Sequence, residues 1–187
     1  MLPILNDINL MAKSLDEDEV TSYVNKMTKH LLSSDNAPDI IGLGAGRMGY
    51  ALRSFIMRLS HMGFNASMIG DTNVPRVKNS TLLIVNSSSG ETPSILQYTQ
   101  QAAHENGNIF LTSCAPESSI AKYSECMIKI PTIESNQLMK SPYEQFSMLI
   151  YDYIVIKLMT SLDLDPEEVS KKMDKALGRN QNISEIE

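Results

Sequence analysis

Three serines, a glycine, a glutamate and a threonine stand in a row at Ser87-Ser88-Ser89-Gly90-Glu91-Thr92, directly after the apolar run Thr81-Leu82-Leu83-Ile84-Val85-Asn86. An amphipathic helical pattern follows. A strand that turns through hydroxyls and a glycine onto a helix start aims O–H and unpaired backbone N–H groups at one point, and that point favours an anion. Ser87, Ser89 and Thr92 are candidate anion ligands, with Ser88 and Glu91 as secondary candidates. A single hydroxyl would serve as an ordinary helix cap, and the run of serines exceeds that need. A second strand-loop-helix lies upstream at Ile40-Ile41-Gly42-Leu43-Gly44-Ala45-Gly46-Arg47-Met48-Gly49. Gly46 supplies the turn there and, with Arg47, is a candidate for binding the phosphate. Arg47 offers a charge for a phosphate or carboxylate, or forms a surface or internal ion pair. Two such loops in one small sheet suggest a phosphorylated ligand.

The elements that must position these loops follow from periodicity. Ile8, Met11 and Leu15, then Val20, Tyr23, Val24, Met27 and Leu31, recur at helical spacing, and Ser14 with Glu17 suits a capping box between the two runs. Strands are expected at 39–43, 64–69, 81–86, 108–112 and 125–130, with helices at 47–62, 91–106, 142–161 and 166–177 and a short one near 116–123. The link 70–80 has no helical pattern. Alternating strands and helices imply α/β architecture, a five-stranded parallel sheet covered on both faces in three α/β/α layers. With strand order 2-1-3-4-5, the loops after strands one and three are neighbours where the chain reverses direction across the sheet, the usual ligand position in such sheets. One domain over 1–187 is expected: a helical segment at 1–34, the α/β core at 39–162 and a carboxyl-terminal helix and tail at 163–187.

Composition narrows the function classes. Of 187 residues, 42% are hydrophobic, enough for a sizeable core, and the net charge of −6 comes without a Lys/Arg cluster. No nucleic-acid footprint is present. The apolar stretch 148–159 is broken by Asp152 and Lys157 and is too short for a bilayer, and the amino terminus lacks the pattern of a signal peptide, so a soluble, cytoplasmic protein is expected. Cys114 and Cys126 lack metal-ligand spacing and read as reduced, packed thiols. His30 and His104 read as surface residues.

The glycine loop also matches the dinucleotide fingerprint, with Asp71 near the place of a ribose-binding acid. That reading leaves little chain for a separate substrate domain and does not account for the serine loop. The glycines serve a tight strand-to-helix turn under either reading.

Taken together, Gly44-Ala45-Gly46-Arg47, the string Phe55-Ile56-Met57-Arg58-Leu59-Ser60-His61-Met62-Gly63-Phe64-Asn65, the serine loop, Pro116-Glu117-Ser118-Ser119-Ile120-Ala121-Lys122 and Tyr143-Glu144-Gln145 resemble the sugar isomerase (SIS) domain family and, within it, the 6-phospho-3-hexuloisomerases. The resemblance spans most of residues 40–160. It implies a reversible conversion of arabino-3-hexulose 6-phosphate and fructose 6-phosphate, no metal or other cofactor, and a homo-oligomer, usually a tetramer. Ser87, Ser89 and Thr92 would hold the phosphate, Glu144 would be the catalytic base, and His61 would assist from a neighbouring region or subunit. A sugar-phosphate sensor without activity, or an isomerase for another sugar phosphate, stays open as the alternative.

The chain departs from the family pattern at several positions. Met48 stands where a serine is expected, Ser88 replaces a glycine, and Lys140 and Pro142 alter the approach to Glu144. In the tail, Arg179 and Asn182 fit the family while Asn180 replaces its histidine. The chemistry itself needs one carboxylate that moves a proton between adjacent sugar carbons through an enediol. Glu144 has a competing reading, because Ser141-Pro142-Tyr143-Glu144 spells a helix capping box. Glu91 is the next candidate for the base, or an ordinary acidic residue in a helix's first turn. His61 precedes Gly63 at a helix end, where an imidazolium interacts with the helix dipole, or it moves a ring-opening proton.

Overall fold

Residues along each central strand alternate between two apolar clusters, which is the period of two expected of a strand buried on both faces. Ile40, Leu82, Ile84, Phe110 and Ile128 point into one cluster, and Ile41, Leu43, Leu83, Val85, Ile109 and Leu111 into the other. The computed structural model describes residues 1–33 and 37–176. Its strands are β1 (Ile40–Gly44), β2 (Ala66–Met68), β3 (Leu82–Asn86), β4 (Asn108–Ser113) and β5 (Cys126–Lys129). They form one sheet of order β2-β1-β3-β4-β5, every pair parallel. Fold class and strand order are as expected.

Among the described residues six helices surround the sheet: α1 (Leu2–Lys13), α2 (Glu17–Leu32), α3 (Gly46–His61), α4 (Pro93–His104), α5 (Ser141–Ser161) and α6 (Pro166–Ala176). The two faces are unequally covered. α1, α2, α3 and α5 pack on the first cluster, whereas α4, a single 3-10 turn at Ala121–Tyr123 and the link between β2 and β3 cover the second. Val74 and Val77 of that link fill the space a helix would otherwise take. No described helix is long and apolar enough to cross a membrane.

Some local expectations change. Asp16, not Ser14, caps α2: its carboxylate accepts the N–H groups of Asp18 and Glu19, and Ser14 instead ends α1. A carboxylate in this position also meets the positive end of the helix dipole. Glu17 accepts a hydrogen bond from the Tyr153 hydroxyl and pairs with Lys157, joining α2 to α5. His30 is half-buried rather than fully on the surface: its ring packs edge-on to Phe110 and its Nε2 lies 2.9 Å from Glu125. The strand expected over 64–69 shortens to three residues, because Gly70 turns the chain and Asp71 bonds back to Met68.

Candidate active site

Parallel register sets the floor of the site. Gly44, Asn86 and Thr112 lie side by side at the carboxyl ends of β1, β3 and β4. Neighbouring β1 and β3 feed crossovers in opposite directions across the sheet, so the glycine loop and the serine loop open at the same edge. The first of these loops is held by contact between backbones: a methyl on Gly49 would sit 2.6 Å from the Gly44 carbonyl oxygen. Only glycine lets α3 start this close to β1.

The serine loop is braced from below and behind. The Ser87 N–H donates to the Thr112 carbonyl, the Cys114 N–H to that of Ser88, and the Ile120 N–H to that of Gly90. Within the loop, Ser87 Oγ accepts the Gly90 N–H and Ser89 Oγ accepts the Glu91 N–H, each at 3.2 Å. A hydroxyl that accepts in this way keeps its own proton to donate. Thr92 is the N-cap of α4, yet its side chain makes no capping bond. Pro93 occupies the first turn, so the start of α4 presents its free N–H groups and the Thr92 hydroxyl together.

Ser88 and Glu91 are drawn elsewhere. Ser88 Oγ lies 3.2 Å from Cys114 Sγ, and its N–H points at the Met48 thioether sulfur at 3.4 Å. Glu91 lies before α4 rather than in its first turn, and it accepts the Ser119 N–H at 2.7 Å. That bond, helped by the nearby Lys122, holds its carboxyl below the ordinary range. Its role is to tie the serine loop to the segment after β4.

Glu144 departs from the capping reading. α5 begins at Ser141 with Lys140 as N-cap, no side chain caps it, and Ser141 Oγ donates to the Leu138 carbonyl instead. The Glu144 N–H already bonds the Lys140 carbonyl. Its carboxylate is therefore not needed by its own helix. It reaches across to α3, where Arg47 Nε donates to Glu144 Oε2 at 2.7 Å. Arg47, open in the sequence between a ligand for phosphate and an ion pair, forms the ion pair.

Beneath this pair lies a buried polar network that periodicity does not reveal. Asn86 donates to the Met48 carbonyl at 3.0 Å and to Ser147 Oγ at 3.3 Å, while its Oδ1 accepts from the Tyr143 hydroxyl at 2.7 Å and from Thr112 Oγ1 at 3.3 Å. Tyr143 also reaches the Thr112 carbonyl at 2.9 Å. Burial pushes the Tyr143 hydroxyl far above its ordinary pKa, so it stays a neutral donor. The signal in the sequence is a polar residue, Asn86, ending an otherwise apolar strand.

His61 is not brought to this edge within the chain. It is the last residue of α3, fourteen residues beyond Arg47, which is about 21 Å along a helix axis. The neighbouring Asn65 carbonyl bonds the Ile40 N–H at the start of β1, so this is the opposite edge of the sheet. Asp71 pairs with Arg53 at 3.0 Å and accepts the Met68 N–H, a local use that removes the acid from the dinucleotide reading. Arg179 and Asn182 lie outside the described residues. Cys114 and Cys126 are both unpaired thiols, and burial raises Cys126 to about 12.

Comparison with known proteins agrees with this geometry. No protein-family model matches the chain. A 3-hexulose-6-phosphate isomerase of Bacillus subtilis is 35% identical over 173 residues, covering 88% of this chain and 90% of that protein. Another 3-hexulose-6-phosphate isomerase, of Methanocaldococcus jannaschii, is 29% identical over 170 residues, 90% of this chain and 92% of its own. Among solved structures, a hypothetical protein of Methanococcus jannaschii, described as inferring a molecular function of 3-hexulose-6-phosphate isomerase, superposes with a TM-score of 0.78 at 28% identity. It covers 91% of this chain and 94% of its own.

Proposed function

The chain belongs to the 3-hexulose-6-phosphate isomerase family, and we propose that it interconverts arabino-3-hexulose 6-phosphate and fructose 6-phosphate with Glu144 as the proton shuttle. The observation that carries the role of Glu144 is its release from helix capping: it stands at the start of α5 with its carboxylate turned to Arg47 at the ligand edge of the sheet. The base takes the proton from C2, the C–H electron pair forms the C2–C3 double bond, and the C3 carbonyl oxygen gains a proton. The enediol then loses the O2 proton, the C2 carbonyl forms, and Glu144 returns its proton to C3. The substrate is oxidised at one carbon and reduced at the next, so the sum is redox-neutral and calls for no external oxidant or cofactor.

Ser87 and Ser89 donate their hydroxyl protons to the phosphate, joined by the Thr92 hydroxyl and the start of α4. Gly46 shapes the facing loop. The chain acts as one domain in the cytoplasm, a compartment that suits its two unpaired thiols. It works as a homo-oligomer, and a tetramer fits the family resemblance. Support comes from α3 and α5, which pack together and expose Tyr50, Met57, Met148, Leu149 and Ile156. His61 shares the outer stripe of α3 with Tyr50 and Met57, from which it can serve the site of a second copy.

Turnover of arabino-3-hexulose 6-phosphate, read as fructose 6-phosphate through coupled reduction of NADP, tests the proposal beside a panel of other ketose and aldose phosphates. Glu144→Gln should lower turnover by at least about a hundredfold while inorganic phosphate still competes for the site. Full activity of that variant removes Glu144 from the mechanism; turnover of a different sugar phosphate alone reassigns the substrate.

A further inference from the structure

Arg47 stands where a cation has no helical reason to be. It occupies the first turn of α3, whose dipole presents positive charge, and no acidic residue of that turn offsets it. Its Nε–H is directed to Glu144 at 2.7 Å. The arginine side chain is 63% exposed and the glutamate 15%, and an ion pair so open on one side contributes little to stability. Glu144, in turn, has no capping bond of its own to fix its rotamer. What the contact does is orient a carboxylate.

We propose that Arg47 is a positioning residue for the base: its Nε–H fixes Oε2 of Glu144, so that Oε1 is the oxygen presented to the sugar carbons, and the phosphate is held without it. This rests on Glu144 being the base. The division of labour follows from the loops. The hydroxyl and backbone donors for a phosphate stand at the start of α4, which packs on one face of the sheet, while the guanidinium is spent between the starts of α3 and α5, which pack on the other. Met48, next in sequence, strengthens the separation. Its thioether takes the Ser88 N–H and its carbonyl takes the Asn86 amide, fixing the backbone from which Arg47 projects.

Arg47→Gln in the full chain tests this, because the arginine side chain is largely exposed and glutamine keeps a side-chain N–H on the same stem, while the Glu144 carboxylate, 15% exposed, loses its charged partner but keeps access to water. A base out of alignment costs turnover, so kcat should fall by about ten- to a hundredfold while KM and the inhibition constant of inorganic phosphate stay within about twofold. Arg47→Lys, which keeps the charge, should recover part of kcat. A rise of fivefold or more in the phosphate inhibition constant would show that Arg47 holds phosphate and overturn the proposal, whatever happens to kcat. An unchanged kcat overturns it as well. The parallel Glu144→Gln measurement separates the two readings: an active Glu144→Gln enzyme defeats the base assignment itself, whereas an inactive one with an unaffected Arg47→Gln enzyme defeats only the positioning role.

Discussion

Glu144 and Gly90 show how far the identity of a single residue carries. The string Ser141-Pro142-Tyr143-Glu144 has the letters of a capping box, yet Ser141 turns to the Leu138 carbonyl and Glu144 turns to Arg47. Local letters left two partners open to each side chain, and the approach of α3 decided between them. Gly90 is the opposite case, because its neighbours leave no choice. It sits at φ +63°, and any side chain there would run into Ser118 Oγ. Gly90→Ala should therefore displace the serine loop, cost about 1–3 kcal/mol in urea unfolding and weaken competition by inorganic phosphate at least about tenfold. Unchanged phosphate inhibition would mean that the loop does not cradle the anion.

At the scale of elements, the proposed site lies at the starts of three helices held at one edge of the sheet. α3 is fixed by the Gly44–Gly49 contact, α4 by the bonds from β4 and the segment after it, and α5 by Asn86, Thr112 and Tyr143. Asn86 touches two of these, through Met48 of α3 and through Tyr143 and Ser147 of α5. Asn86→Leu removes the partner shared by the Met48 carbonyl, Ser147, Thr112 and Tyr143, of which Tyr143 keeps only the Thr112 carbonyl, and should cost about 2–4 kcal/mol of stability with a fall in kcat. Tyr143→Phe removes only one donor and should cost about 1 kcal/mol with kcat little changed. Chemical denaturation and steady-state rates on the same preparations check both. Equal losses for the two variants would argue against Asn86 as the joint between the helices.

For the whole molecule, the question is which surfaces remain to be covered. Ile156 is 62% exposed and Tyr50 74%, on adjacent helices of the same layer. Large apolar side chains set so on neighbouring helices suit burial against a second copy. Ile156→Lys should shift the protein to a smaller species in sedimentation, and activity should become dependent on protein concentration. If His61 serves a neighbouring site, mixing His61→Ala and Glu144→Gln chains should restore part of the turnover that each lacks alone. A fully active Ile156→Lys monomer would show that one chain holds the complete site.

The sequence by itself determined the layered α/β architecture, the five strands and the two strand-to-helix loops, while the order 2-1-3-4-5 came with the family resemblance. It could do so because strand and helix periods, glycine turns and serine-rich helix starts are local and repeat with burial. Resemblance in its motifs also pointed to the family. Only the tertiary structure decided that Arg47 pairs with Glu144, that Glu91 ties a loop, that half-buried His30 packs against Phe110, and that Asn86 joins α3 to α5. It also placed His61 at the far end of α3. Each of these depends on which residues, distant in the chain, are brought within hydrogen-bonding reach. A polar side chain has several partners of nearly equal strength, so packing of the helices on the sheet, rather than its own neighbours in sequence, selects among them.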